Sequence, residues 1–352
     1  MNNDFWTGRK VLLTGNTGFK GTWMSLMLEY LGARVCGYAL PLEENMFYLD
    51  VKPRIERMVE ADITDLGEVR KTVDEYEPEI IFHFAAHSSL QGSTEIPEYI
   101  IKTNIVGTLN VLEAARLSKS VRSIVVVTSD KCYFNENKNC KYQEDATLWA
   151  SDPYSSSKVG QELLTDCYMK TFFQKKEKHI SIASVRASNV IGPGDYNKTR
   201  LIPYLLDEFA NGKSPVIRSP YAVRPWQYVL DVLNGYLILA QSLFENTDNT
   251  ELDGAYNFGP MDDGFVDVET ITKMISERFE NIPFRIILGN RHNVEEKRML
   301  MLDSSKAQRV LGWKCKYSLE QTVGVIANYV KQEITGDKPD ILARNLVRQF
   351  YS

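Results

Sequence analysis

Apolar and polar positions alternate in blocks along the first half of the chain. Val11, Leu12, Leu13 and Thr14 form a short apolar run, which predicts a strand buried on both faces. Thr22 to Leu31 follows with Trp23, Leu26, Met27 and Tyr30 at helical spacing. Between them Gly15, Gly18 and Gly21 fall at every third position. Arg34 to Tyr38 predicts a second strand, and Leu66 to Tyr76 a helix with Asp65 placed to cap it. Pro78 to Ala86 reads as a strand running into small residues, Tyr99 to Leu117 as a helix and Ser123 to Thr128 as a strand. Alternation of this kind implies a parallel sheet with helices on both faces, right-handed crossovers and a ligand at the carboxyl ends of the strands. The expected fold is α/β, a Rossmann-type doubly wound parallel sheet with a smaller, interleaved α/β substrate-binding domain.

Composition narrows the class. The chain has 352 residues, 43% hydrophobic and 25% charged, which suits one large or two modest soluble domains with an ample core. Net charge is −5, and the longest basic cluster is Lys175-Lys176-Glu177-Lys178, so nucleic acid is not an expected partner. No hydrophobic signal region precedes the first strand and no run reaches membrane-spanning length, so a cytoplasmic protein with no membrane partner is expected. Cys36, Cys132, Cys140, Cys167 and Cys315 are scattered without a C-x-x-C, and His83, His87, His179 and His292 add no metal-ligand spacing. Reduced thiols and no metal are the expectation.

The strand–glycine–helix stretch carries the first chemistry. Gly15 permits a tight turn, Gly18 lets backbone N–H groups reach a pyrophosphate, and Gly21 lets helix and strand pack closely. The helix N-terminus then presents its positive dipole end to phosphates. The G-x-x-G-x-x-G spacing resembles the extended branch of the short-chain dehydrogenase/reductase superfamily. That resemblance implies a cofactor turn of Gly15, Asn16, Thr17, Gly18, Phe19, Lys20 and Gly21. Lys20 is either a phosphate contact or a solvated residue at a helix start. Asp62 and Ile63 are implied at the adenine, Ala85 and Ala86 at close cofactor approach, and Asn104 at the cofactor. Glu43 and Glu44 come late for the acidic residue that holds ribose hydroxyls, which leaves NAD or NADP open. His83, within an apolar strand, reads as core.

Tyr154 and Lys158 lie one helical turn apart and share a face. An ammonium near a phenol favours the phenolate and lowers its pKa from about 10. A tyrosinate takes a hydroxyl proton while hydride leaves the same carbon, and the lysine also suits the nicotinamide ribose. Ser129, at a strand end, completes the set by hydrogen-bonding the reacting oxygen. Asp130 and Lys131 go beyond what hydride transfer requires.

The stretches V-T-S-D-K-C-Y, D-P-Y-S-S-S-K, R-A-S-N-V-I-G-P-G-D, R-L-I-P, R-P-W-Q-Y-V-L-D, N-F-G-P and L-D-S-S-K-A-Q-R-V-L-G-W extend the likeness nearly end to end. Together they resemble the CDP-glucose 4,6-dehydratases among the sugar nucleotide dehydratases. The resemblance implies a tightly bound NAD regenerated each cycle, oxidation at carbon 4, loss of water across carbons 5 and 6, and hydride return to carbon 6. Asp130 is then the acid for the departing hydroxyl, and Lys131 either the base at carbon 5 or only a partner for Asp130. Asn189, Arg200 and Leu201 are implied at the nucleotide, with Arg218, Arg224 and Arg298 as a diphosphate clamp. Trp226 either stacks on substrate or fills core. His87 is a substrate contact or a loop histidine, in a His87 to Thr94 stretch that departs from the family pattern. Residues 1–186 plus about 226–255 are expected to form the NAD-binding domain. About 187–225 plus 256–352 are expected to bind the sugar nucleotide, and a homodimer or dimer of dimers is implied. An epimerase or decarboxylase on the same fold, and a non-catalytic NAD(P)-binding sensor, are the rival readings.

Overall fold

A computed structural model describes residues 3–42, 47–88, 94–135, 140–175, 179–247, 249–287 and 300–352. Its centre is a seven-stranded sheet. The strands are β1 (Lys10–Thr14), β2 (Arg34–Ala39), β3 (Arg57–Glu60), β4 (Ile80–His83), β5 (Ser123–Val127), β6 (Ser181–Ala187) and β7 (Gly254–Phe258). They lie in the order β7-β6-β5-β4-β1-β2-β3, and every neighbouring pair is parallel. Strand order reverses between β1 and β4, which opens a crevice at their carboxyl ends.

The apolar run in β1 is explained by its two covered faces. Val11 and Leu13 point into one core and Leu12 into the other, as a period-2 strand requires. The first core is roofed by helices Phe19–Tyr30, Val229–Glu245 and Pro339–Tyr351, and the opposite face of the sheet by Leu66–Tyr76, Gly107–Leu117 and Pro153–Tyr168. Asp65 does cap its helix, accepting from Glu68 N at 3.2 Å. The helix expected over Tyr99–Leu117 begins at Pro97 and passes through a π-turn at Lys102–Val106.

A second apolar core gathers helices Leu201–Ala210, Val268–Arg278 and Leu319–Ile334 around a three-stranded sheet. Its middle strand, Val223–Tyr228, runs parallel to Asn189–Ile191 and antiparallel to Phe265–Asp267. Two segments pack differently from the expected division. Strand β7 continues the main sheet to Phe258, and the C-terminal helix buries Ala343, Val347 and Phe350 in the first core.

Candidate active site

The glycine turn closes the crevice by backbone contacts. Gly15 adopts φ 69° and donates its N–H to Tyr38 O at 2.7 Å. A Cβ there would lie 2.7 Å from Ala85 N, so only glycine fits. A Cβ on Gly21 would lie 2.0 Å from Gly15 O, which is the close helix–turn packing expected of it. Gly18 is exposed, and a Cβ there would meet only Gly15 O at 3.5 Å. The helix Phe19–Tyr30 starts from Gly18 with no side-chain cap, which leaves its first N–H groups without a capping side chain. These features fit a dinucleotide pyrophosphate. Asn16 and Thr17 are buried beneath the turn, and Phe19 packs on Gly192 and the first core.

The other expected cofactor residues divide. Ala85 and Ala86 follow β4 at the crevice, half-buried. Asp62 Oδ1 accepts from Thr64 N at 2.9 Å, and Ile63 is buried against Gly107. Asn104 is fully buried and spends its amide inside the protein, bonding His87 N, His87 O and Ser157 Oγ at 2.8, 3.2 and 2.8 Å. It lies on the π-turn and ties the loop after β4 to the tyrosine helix, so the structure gives it a scaffolding place. Glu43 and Glu44 lie outside the described residues.

Across the crevice stand the chemical residues. Ser129, Asp130 and Lys131 follow β5, and Asp152 caps the helix Pro153–Tyr168 that carries Tyr154 and Lys158, accepting from Ser155 N at 2.8 Å. Ser129 Oγ donates to Asp130 Oδ1 at 3.1 Å and lies beside the Tyr154 phenol. Asp130 is buried, and Lys131 Nζ reaches its Oδ2 at 3.5 Å from a side chain one-third exposed. Behind them Glu162 holds Arg186 through a buried bidentate pair and accepts from Thr128 Oγ1, bracing the strand end before Ser129.

The phenol is not lowered as expected. Burial pushes Tyr154 up to about 12, outweighing the Ser129 hydroxyl and the Arg200 charge that oppose it. Lys158 faces elsewhere: its Nζ donates to Gln161 Oε1 at 2.7 Å and Val127 O at 3.3 Å, and sits 5.9 Å from the Tyr154 ring centroid. Burial, with Lys20 nearby, lowers Lys158 to about 7. Lys20 is itself lowered to about 8, by burial and then by Arg200, with Asp130 opposing. Lys20 is half-buried at the start of its helix.

The residues expected at the nucleotide are spread more widely. Arg200 pairs with Asp195 at 2.9 Å and donates to Ser88 Oγ at 3.1 Å, linking the second core to the loop after β4. His87 packs edge-on against Tyr99, and its Nδ1 is buried without a partner among the described residues. Asn189 opens its strand half-buried, and Leu201 packs into the second core. Arg218 is exposed, while Arg224 donates from Nη1 to Val223 O at 2.9 Å. Of the two readings of Trp226, the structure favours core: it is 4% exposed in the second core, with its indole N–H held by Val266 O at 3.2 Å. Arg298, most of the His87 to Thr94 loop and His292 lie outside the described residues. No three His, Cys, Asp or Glu side chains gather as metal ligands among the described residues.

A glycine-turn crevice in a parallel sheet, faced by serine, tyrosine and lysine, defines an enzyme of the extended short-chain dehydrogenase/reductase class. A family profile described as GDP-mannose 4,6 dehydratase matches residues 12–325, and the chain belongs to that family. Within it the chain is 37% identical to the CDP-glucose 4,6-dehydratase of Salmonella typhimurium, over 100% of this chain and 99% of that one. Solved structures share the fold. An epimerase from Methanothermobacter thermautotrophicus superposes with TM-score 0.81 at 23% identity, over 99% of this chain and 97% of its own. A dTDP-glucose 4,6-dehydratase from Bacillus anthracis in complex with NAD superposes with TM-score 0.77 at 22% identity, over 94% of this chain and 99% of its own.

Proposed function

We propose that the protein is an NAD-dependent sugar nucleotide 4,6-dehydratase that converts CDP-glucose to CDP-4-keto-6-deoxyglucose. The observation that carries this reading is Asp130. Hydride transfer needs no buried carboxyl group, yet Asp130 is tied to Ser129 and Lys131 at the phenol's side of the crevice. When bound, NAD supplies a nicotinamide that accepts hydride from carbon 4 and returns it to carbon 6. Gly15 to Gly21 hold its phosphates, with Ala85 and Ala86 at the facing edge. Tyr154 takes the proton from the hydroxyl on carbon 4, and Ser129 steadies that oxygen. Its high pKa makes the phenolate a strong base once formed, and Ser129 and Arg200 supply the surroundings that favour forming it. The ketone acidifies carbon 5. Lys131, once its own proton has passed to the paired Asp130, removes the carbon 5 proton, and Asp130 protonates the hydroxyl leaving carbon 6. Arg200, Arg218 and Arg224 face the diphosphate, and His87 the sugar.

Exposed Tyr99, Val106 and Leu163 on helices Pro97–Leu117 and Pro153–Tyr168, at 41, 36 and 60% exposure, support a homodimer through these helices. All five cysteines are free, which suits a reducing compartment. No helix among the described residues is long and apolar enough to cross a membrane.

The test is incubation with a panel of nucleotide sugars, scored by mass. Loss of one water from CDP-glucose, abolished in Tyr154→Phe with NAD still retained, is expected. An isomeric product of unchanged mass would replace dehydration by epimerisation, and a fully active Tyr154→Phe would remove the tyrosine from the chemistry.

A further inference from the structure

Behind Lys158 runs a buried polar chain that the reaction itself does not use. Lys158 Nζ donates to Gln161 Oε1 at 2.7 Å, and Gln161 Nε2 donates to Thr108 Oγ1 at 2.6 Å. Thr108 spends its single proton on Asn104 O at 2.6 Å. Its oxygen therefore also accepts from His83 Nε2, 3.0 Å away. His83 Nδ1 is then an acceptor, and Thr14 Oγ1 donates to it at 2.8 Å. Thr14 Oγ1 in turn accepts from Phe84 N and Ala85 N at 3.2 and 3.1 Å. Gln161, Thr108, His83 and Thr14 are all at most 1% exposed.

Every donor in this chain has one assignment. Thr108 has no proton left to give Gln161, so the amide nitrogen must face Thr108 and the amide oxygen faces the lysine, where it accepts from the ammonium. Burial, and then the charge of Lys158, lower His83 to about 3, which keeps it neutral as the chain requires. The chain begins at the lysine and ends one residue before Gly15, where β1 and β4 pack against each other. It spans four elements: the tyrosine helix, the helix Gly107–Leu117 and the two central strands.

We propose that Gln161 is a positioning residue for Lys158: its carbonyl, locked by Thr108 and a neutral Nε2–H His83, fixes the lysine amine beside the end of β5 and favours its charged form. This rests on the reading of Lys158 as part of the site. Other groups also face the amine. Lys20 comes from the glycine-turn helix, Glu162 and Tyr154 from its own helix, Cys132 from the segment after β5 and His83 from β4. None of them except Gln161 accepts a hydrogen bond from it with a side chain among the described residues.

The experiment follows the Lys158 titration in the full-length protein by NMR of 13Cε-labelled lysine, assigned by its absence in Lys158→Arg. Gln161→Met keeps the volume and removes the acceptor; Gln161→Glu keeps the acceptor and adds charge. The Met variant is expected to titrate about one pH unit below the parent and the Glu variant above it. In turnover, kcat is expected to fall about tenfold in Met, with KM little changed and partial recovery in Glu. Coincident midpoints in all three proteins, even with a lower Tm, would leave Gln161 a packing residue and overturn the proposal. Should the Met variant not fold, 15N-labelled histidine in the parent decides. A neutral Nε2–H tautomer for His83 from pH 5 to 9 is expected, and a charged or Nδ1–H ring would break the chain. Neither spectrum uses a sugar nucleotide, so a failed substrate panel beside shifted midpoints would sink the dehydratase reading alone.

Discussion

The glycine turn and the wall facing it are made of different materials. Along the turn, shape is held by backbone. Gly15 and Gly21 sit where an added Cβ would strike backbone atoms at 2.7 and 2.0 Å, and Gly37 leaves room for the Asn16 amide at 2.5 Å. The wall proposed for the diphosphate would be built of side chains from separate segments. Arg200 starts a helix, Arg218 follows a two-residue strand and Arg224 lies within another strand, with Trp226 in the core beneath. Backbone packing admits one residue type and so marks the sequence. A wall of long side chains admits many and marks it weakly. The two halves should therefore fail differently when mutated.

The largest effect is expected beneath the wall. Trp226→Ala empties a core position and strands Val266 O, and should cost about 3–5 kcal/mol of stability by urea unfolding. KM for the nucleotide sugar should stay within about twofold in the protein that remains folded. A raised KM at unchanged stability would return Trp226 to the ligand. On the turn, two glycines separate the roles of backbone. Gly21→Ala forces an atom against Gly15 O and should cost about 1–3 kcal/mol, read as a lower Tm. Gly18→Ala meets nothing closer than 3.5 Å and should leave Tm nearly unmoved while weakening NAD about tenfold by calorimetry. Unchanged NAD affinity in Gly18→Ala would unseat the pyrophosphate from this turn.

The same contrast explains what could be read beforehand. The strand, glycine turn and helix were legible because period-2 burial and close backbone contact leave few alternatives. Tyr154 and Lys158 were legible as a pair, but the phenol's pKa was not. Four-residue spacing puts two side chains on one face without saying where the amine points, and here it points to Gln161. Gln161 sits three residues past Lys158 on the same face and was open to the same reasoning. Its partners Thr108 and His83 come from other elements, and His83 looks like any polar residue in an apolar strand. The scaffolding place of Asn104 depends on a π-turn that helical periodicity does not announce. The division of the chain went astray at β7 and the C-terminal helix, because an apolar segment does not state which of two cores it enters.

The smallest effect is expected at Arg218, and it bears most directly on the wall. Its side chain is exposed beyond the strand Val216–Ile217. A cation in water next to a diphosphate contributes about 1 kcal/mol, far less than a buried one, because solvent screens it. Arg218→Gln should therefore raise KM about fivefold and leave kcat alone, since the diphosphate is bound equally before and during reaction. Screening supplies the sharper check. Between 0.1 and 1 M salt the Debye length shrinks from about 10 Å to about 3 Å, so parent and variant KM should converge. If the gap persists at high salt, Arg218 reaches the substrate through a desolvated bidentate contact. If kcat falls instead, it acts on the reacting sugar, and the side-chain wall would share the tight placement that the glycine turn derives from its backbone.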